Sequence, residues 1–235
     1  MSDHIVRSFD EELGQITAEV ARMGGLTEAQ IGEALDCVLR RDVKLAEAVA
    51  ARDAQLDAME ADIEKKAIRV IALRQPMAND LRHAVAAMKI ASNLERCGDL
   101  AKNIAKRSLV LAGMDAATPL SRSIDRLGRL VAARLKDVLD AYPAGDVERA
   151  VVVWKRDDEI DSHYDSLFRE LLTYMMGDPK MITPGAHLLF IAKNLERIGD
   201  HATNIAEMIH YEVTGDELDA VRPRQAETDA GPTEE

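Results

Sequence analysis

Residues 90–106 read IASNLERCGDLAKNIAK and residues 191–207 read IAKNLERIGDHATNIAE, identical at twelve of seventeen positions. A second match lies upstream, where Arg52-Asp53-Ala54-Gln55-Leu56-Asp57 answers Arg156-Asp157-Asp158-Glu159-Ile160-Asp161. The upstream pair is 104 residues apart and the downstream pair 101, so one plan is used twice along the chain. Apolar positions around these segments recur at steps of three and four. Ile160, Tyr164, Leu167, Leu171 and Tyr174 form one such series, and Leu188, Ile191, Leu195, Ile198, Ala202, Ile205 and Ile209 form another. A seam of this period is what a helix buries in an antiparallel bundle. Breaks at Gly24-Gly25, Arg41-Asp42, Gln75-Pro76, 113–119, 143–146 and 177–184 divide each half into three helical stretches. These are 3–50, 52–74 and 77–112, then 119–141, 146–176 and 183–213. Thr27 and Gln30 have capping-box spacing after the double glycine, which predicts a kink or split in the first helix. The expected fold is all-α: two tandem, pseudo-symmetric, antiparallel three-helix bundles over residues 1–114 and 115–215.

Composition agrees with helices. Nearly half of the 235 residues are apolar, but only eight are aromatic, and Ala, Leu, Val, Ile and Met supply the rest. The net charge of −12 argues against a nucleic-acid binder, whose affinity rests on neutralising phosphates. Cys37 and Cys97 make no disulfide framework, which points to a reducing compartment. No run approaches eighteen consecutive apolar residues, and the start lacks a basic segment followed by an apolar one, so the expected location is the cytoplasm. Residues 216–235 hold seven acids, two arginines and two prolines, and read as an acidic disordered tail.

Four acidic pairs occupy repeated positions: Asp53/Asp57, Glu95/Asp99, Asp157/Asp161 and Glu196/Asp200. Spacing of i, i+4 sets both carboxylates of a pair on one helical face, where like charges disfavour the helix. Retention of that arrangement four times invites a cation, and a hard metal held by several carboxylates needs two helices each offering a pair. The competing reading is ordinary surface charge, with Arg52, Arg96, Arg156 and Arg197 as salt-bridge partners of little energetic weight. Relative to Leu195 and Ile198 the acids fall beside the buried seam, as expected of partly exposed clusters. A metal storage or oxidation protein is the alternative from another class. A di-iron oxidase would carry Glu-x-x-His on two helices, and neither Glu95 nor Glu196 has a histidine three residues on. Gly98 and Gly199, inside helices, imply close helix approach or a ligand. Cys97 reads as a small core residue, Trp154 as packing, and Asn103 and Asn204 as outer-shell groups or helix-to-helix hydrogen bonders.

The segments from Asn93 to Ala105 and from Asn194 to Ala206, with Leu73-Arg74-Gln75-Pro76, resemble the twin signatures of the PhoU family over about residues 5–213. That resemblance implies two three-helix bundles, commonly paired as a homodimer. It implies multinuclear metal clusters (Fe, Zn, Mn or Mg) on Asp53, Asp57, Glu95, Asp99, Asp157, Asp161, Glu196 and Asp200. It also implies a non-enzymatic, cytoplasmic negative regulator of the phosphate-starvation response. Such a protein acts as an adapter between the PstB ATPase of the phosphate ABC transporter and the sensor kinase PhoR, and meets the membrane only through its partners. An accessory protein of a different phosphate carrier is the nearer alternative.

Overall fold

Asp42 and Asp146 stand at equivalent places in the two halves, and each starts a helix by the same means. The Asp42 carboxylate accepts a hydrogen bond from the backbone N–H of Leu45, and that of Asp146 from Arg149, both at 3.0 Å. The residue before each is left-handed, Arg41 at φ 54° and Gly145 at φ 59°, so the chain turns sharply into the cap. The computed structural model describes residues 2–114 and 121–218, except for the side chains of residues 2–10 and Asp53. Most of the expected acidic tail, residues 219–235, lies outside the described residues.

The described residues form helices and no strand. In order these are α1 (Ser2–Arg40), α2 (Val43–Ala51), α3 (Asp53–Arg74), α4 (Asn79–Ala112), α5 (Ser121–Ala141), α6 (Val147–Lys155), α7 (Asp157–Gly177) and α8 (Ile182–Thr214), with a 3-10 turn at Pro179–Met181. Each half contains three rods, the middle one broken at an arginine: α2 meets α3 at Arg52, and α6 meets α7 at Arg156. The stretch expected over 3–50 therefore ends at Arg40, and residues 43–51 belong to the middle rod. The expected interruption at Gly24-Gly25 is absent. Thr27 is fully buried and its hydroxyl donates back to the Met23 carbonyl, while Gln30 donates from Nε2 to the Gly98 carbonyl. Both side chains serve packing between rods rather than a cap.

Two long helices occupy the middle. α4 and α8 pack against each other, α4 against α1, α2 and α3, and α8 against α5, α6 and α7. They run antiparallel. His83 meets Glu212 at 2.5 Å, Asn93 meets His201 at 2.9 Å, and the Arg107 guanidinium lies 4.0 Å from the Phe190 ring centre. With the halves offset by 101 residues, this register centres the crossing on Cys97 and Ile198, which are equivalent in the repeat and fully buried. The apolar core is continuous through both halves, from Ile16 and Met23 of α1 to Ile205 and Ile209 of α8. All seven expected seam positions of α8 are buried; in α7, Ile160, Leu167 and Leu171 are buried, but Tyr174 near the helix end is exposed.

Candidate metal centre

The break at Arg156 builds the site. There the α6 helix closes, with the Arg156 N–H donating to the Val153 carbonyl, and α7 restarts at once with Asp157, Asp158 and Glu159 in its first turn. Acids are favoured there because the unpaired N–H groups and helix dipole leave a helix N-terminus partly positive. One turn on, Ile160 packs onto Gly199 of α8, and a Cβ at Gly199 would stand 2.7 Å from Ile160 Cδ1. Close helix approach is thus the reason for the glycine, and it carries Asp161, next to Ile160, up to Glu196 and Asp200. One carboxylate oxygen from each of Asp161, Glu196 and Asp200 lies within 4.8 Å of the others. Such a group suits a hard cation with oxygen ligands.

Electrostatics mark the group as short of positive charge. Burial, followed by the charges of Glu196, Asp157 and Asp161, pushes the Asp200 carboxyl up to about 6, with Lys193 opposing. Burial and then Asp157 and Glu196 also raise Asp161. Lys193 donates to Oε1 of Glu196 at 2.6 Å, and that contact and the nearby acids raise the ammonium despite its desolvation. The other oxygen, Oε2, is buried with no hydrogen-bond partner, an expensive state for a carboxylate. A cation among these three side chains would remove both the repulsion and the orphan. Asp157 stands at the rim: it raises its neighbours electrostatically, but its Oδ1 accepts from the Thr203 hydroxyl at 2.8 Å.

The first half uses the same backbone plan differently. Gly98 receives the Leu56 side chain as Gly199 receives Ile160, and Leu56 and Ile160 are equivalent in the repeat. Glu95 is raised, first by burial, then with Arg96 opposing and Asp99, Glu60 and Asp57 adding to it. Yet Asp57 is exposed, and among the described residues Asp57, Glu95 and Asp99 form no group comparable to that of the second half. Asp99 binds Lys102 at 2.7 Å and Arg96 at 3.5 Å, and Arg96 also lies 3.4 Å from Glu95. The side chain of Asp53 lies outside the described residues.

Lys102, Thr203, Lys193 and Glu60 all shape these sites and escaped the reading of the acids alone. The first three stand at positions where the two repeats differ, which is the signal that marks them. His201 turns away from the acids to Asn93 of α4, and Asn204 donates to the same oxygen at 3.4 Å. Asn204 is therefore a helix-to-helix hydrogen bonder. Cys97 is fully buried, with desolvation raising its thiol far above reactivity near neutral pH. Trp154 packs against the core and donates from Nε1 to Glu207 at 3.0 Å.

Comparison with known proteins places these features in a family. The PhoU domain pattern matches residues 20–108 and again 124–209. A Caulobacter vibrioides protein, phosphate-specific transport system accessory protein PhoU homolog, is 61% identical over 95% of this chain and 97% of its own length. The Escherichia coli phosphate-specific transport system accessory protein PhoU is 37% identical over 93% of this chain and 90% of its own. The crystal structure of PhoU from Pseudomonas aeruginosa superposes with a TM-score of 0.86 at 36% identity, covering 88% of this chain and all of that one.

Proposed function

Since the chain belongs to the PhoU family, we propose that it is an accessory protein of a phosphate-specific transport system and a negative regulator of the phosphate-starvation response. It works without catalysis, as an adapter between a PstB-like transporter ATPase and a PhoR-like histidine kinase, in the cytoplasm and as a homodimer. The observation that carries this reading is the likeness to accessory proteins over nearly the full length, with the doubled signature present in both halves. Among the described residues no helix is long and apolar enough to cross a membrane, which suits a protein that meets a transporter from outside the bilayer.

The physics of the adapter follows from the shared core. The helices of the two halves, joined through α4 and α8, behave as one stiff body, so a partner bound to one half is held in a set geometry relative to a partner on the other. An adapter passes a signal only if it binds one state of its partner more tightly than another. Exposed apolar side chains at the rod ends and along α7 and α8, among them Leu73, Met77, Phe168, Met176 and Phe190, offer contact area for such partners. A metal ion on Asp161, Glu196 and Asp200 ties α7 to α8 and fixes that face.

A deletion strain grown in abundant phosphate tests the regulatory role. Alkaline phosphatase reporters should be active there and fall silent when the gene is restored. Silence in the deletion strain refutes negative regulation, and failure of PstB- and PhoR-like proteins to copurify with the tagged chain from phosphate-rich cells refutes the adapter.

A further inference from the structure

The two seventeen-residue repeats differ at five positions, and three of these exchange a lysine; two lie beside the acids, where Ser92 corresponds to Lys193 and Lys102 to Thr203. The two lysines are placed differently. Lys193, with its side chain 49% exposed, approaches its acid from outside and engages one oxygen of Glu196 while the other stays bare. Lys102 is 19% exposed and holds Asp99, the counterpart of Asp200, at 2.7 Å. Thr203 shows where position 102 points. Its hydroxyl reaches Asp157 in the first turn of α7, so the equivalent position in α4 faces the first turn of α3, between the two acidic helices of its half. An ammonium there is a compact cation with three donors, set among carboxylates that would otherwise receive a metal ion. Arg96, bound to both Glu95 and Asp99, adds a second charge. A dication entering this half would have to displace Lys102 and then tolerate it close by.

We propose that Lys102 is a built-in counter-ion that closes the first-half acids to metal, so that metal loads only on Asp161, Glu196 and Asp200. This rests on the metal reading of the second half. It also makes the two halves chemically unequal, despite their common fold, with one stiffened by the chain's own lysine and the other dependent on supply.

The test is Mn2+ binding to tag-free, metal-stripped, full-length protein, with free Mn2+ counted by electron paramagnetic resonance and the fold checked by circular dichroism. The parent should keep its Mn2+ content in Asp99→Asn and lose it in Asp200→Asn. Lys102→Thr should bind about twice the parental amount, and the increment should vanish in Lys102→Thr/Asp99→Asn. Lys102→Met, which keeps the stem and removes the charge, should show the same increment. Loss of parental Mn2+ in Asp99→Asn, or no increment in either folded Lys102 variant, overturns the proposal. Absence of Mn2+ from the parent and every variant overturns the metal reading beneath it instead.

Discussion

Gly199→Ala probes the contact on which both the fold of the second half and its acid cluster depend. The added methyl would lie 2.7 Å from Ile160 Cδ1 and 3.2 Å from its Cγ2, with both residues buried in the core. The Cδ1 atom can rotate away, but Cγ2 sits on the branched carbon and moves only if χ1 leaves its one strongly preferred helical rotamer or the helix itself shifts. Against an overpacking cost of about 1–3 kcal/mol stands a helix-propensity gain of about 1 kcal/mol. The expected net is a loss of about 1 kcal/mol, or ~2–4 °C in Tm for a chain of this size. Gly25→Ala supplies the control, because a Cβ there meets nothing within 4 Å; it should gain about 0.5–1 kcal/mol. Ile160→Val removes the closest atom and alone should cost about 0.5–1.5 kcal/mol. In the Gly199→Ala background it should cost nothing or restore stability, a coupling of about 1 kcal/mol. Urea unfolding followed at 222 nm measures all four proteins. Since the same contact sets the distance from Asp161 to Glu196 and Asp200, Mn2+ affinity should fall in Gly199→Ala and recover in the double variant. Stabilisation of Gly199→Ala equal to that of Gly25→Ala, or strict additivity with Ile160→Val, refutes the claim that this glycine exists for helix approach.

Three further outcomes follow from the polar contacts. Asp200, pushed up to about 6 from an ordinary 3.8, opposes folding when ionised; the penalty is absent below pH 3.8 and complete above about 6. In EDTA at pH 7.5, Asp200→Asn should therefore be more stable than the parent by about 1 kcal/mol, a figure reduced for partial exposure, with the gain fading toward pH 4; a variant that melts earlier than the parent at pH 7.5 refutes this. His83 is raised first by its hydrogen bond to Glu212, against desolvation, so its stabilisation is full below the ordinary 6.5 and lost as pH rises through the raised value. Nuclear magnetic resonance should find His83 titrating above the usual histidine range and Glu212→Gln returning it, and equal values in both proteins would count against the pair. Asn93→Ala removes the acceptor shared by His201 and Asn204 and should cost about 1 kcal/mol in urea unfolding, whereas an unchanged midpoint would mean that water replaces it without loss.

The rods, the α8 seam and the glycine contacts were legible because they depend on period and side-chain size, which the sequence states directly. The break at Arg41-Asp42 was legible as well, but not that it ends the first rod, because Arg41 adopts a left-handed conformation that its residue type does not announce. Its repeat partner announces it: Gly145-Asp146 makes explicit the left-handed turn at Arg41-Asp42, with a similar φ and the same aspartate cap. Reading the halves against each other thus shows that the break at Arg41-Asp42, like that at Gly145-Asp146, separates the first rod from the middle one. The acid pairs carry the opposite lesson. Identity between the repeats marks the carboxylates in both halves, but their state is set where identity fails, at Ser92/Lys193 and Lys102/Thr203. One half brings its three acids together around a bare oxygen, while the other places an ammonium against the equivalent acid. Shared positions conserve the frame that a doubled helical body needs, so the differences are where unequal chemistry between the halves must be sought.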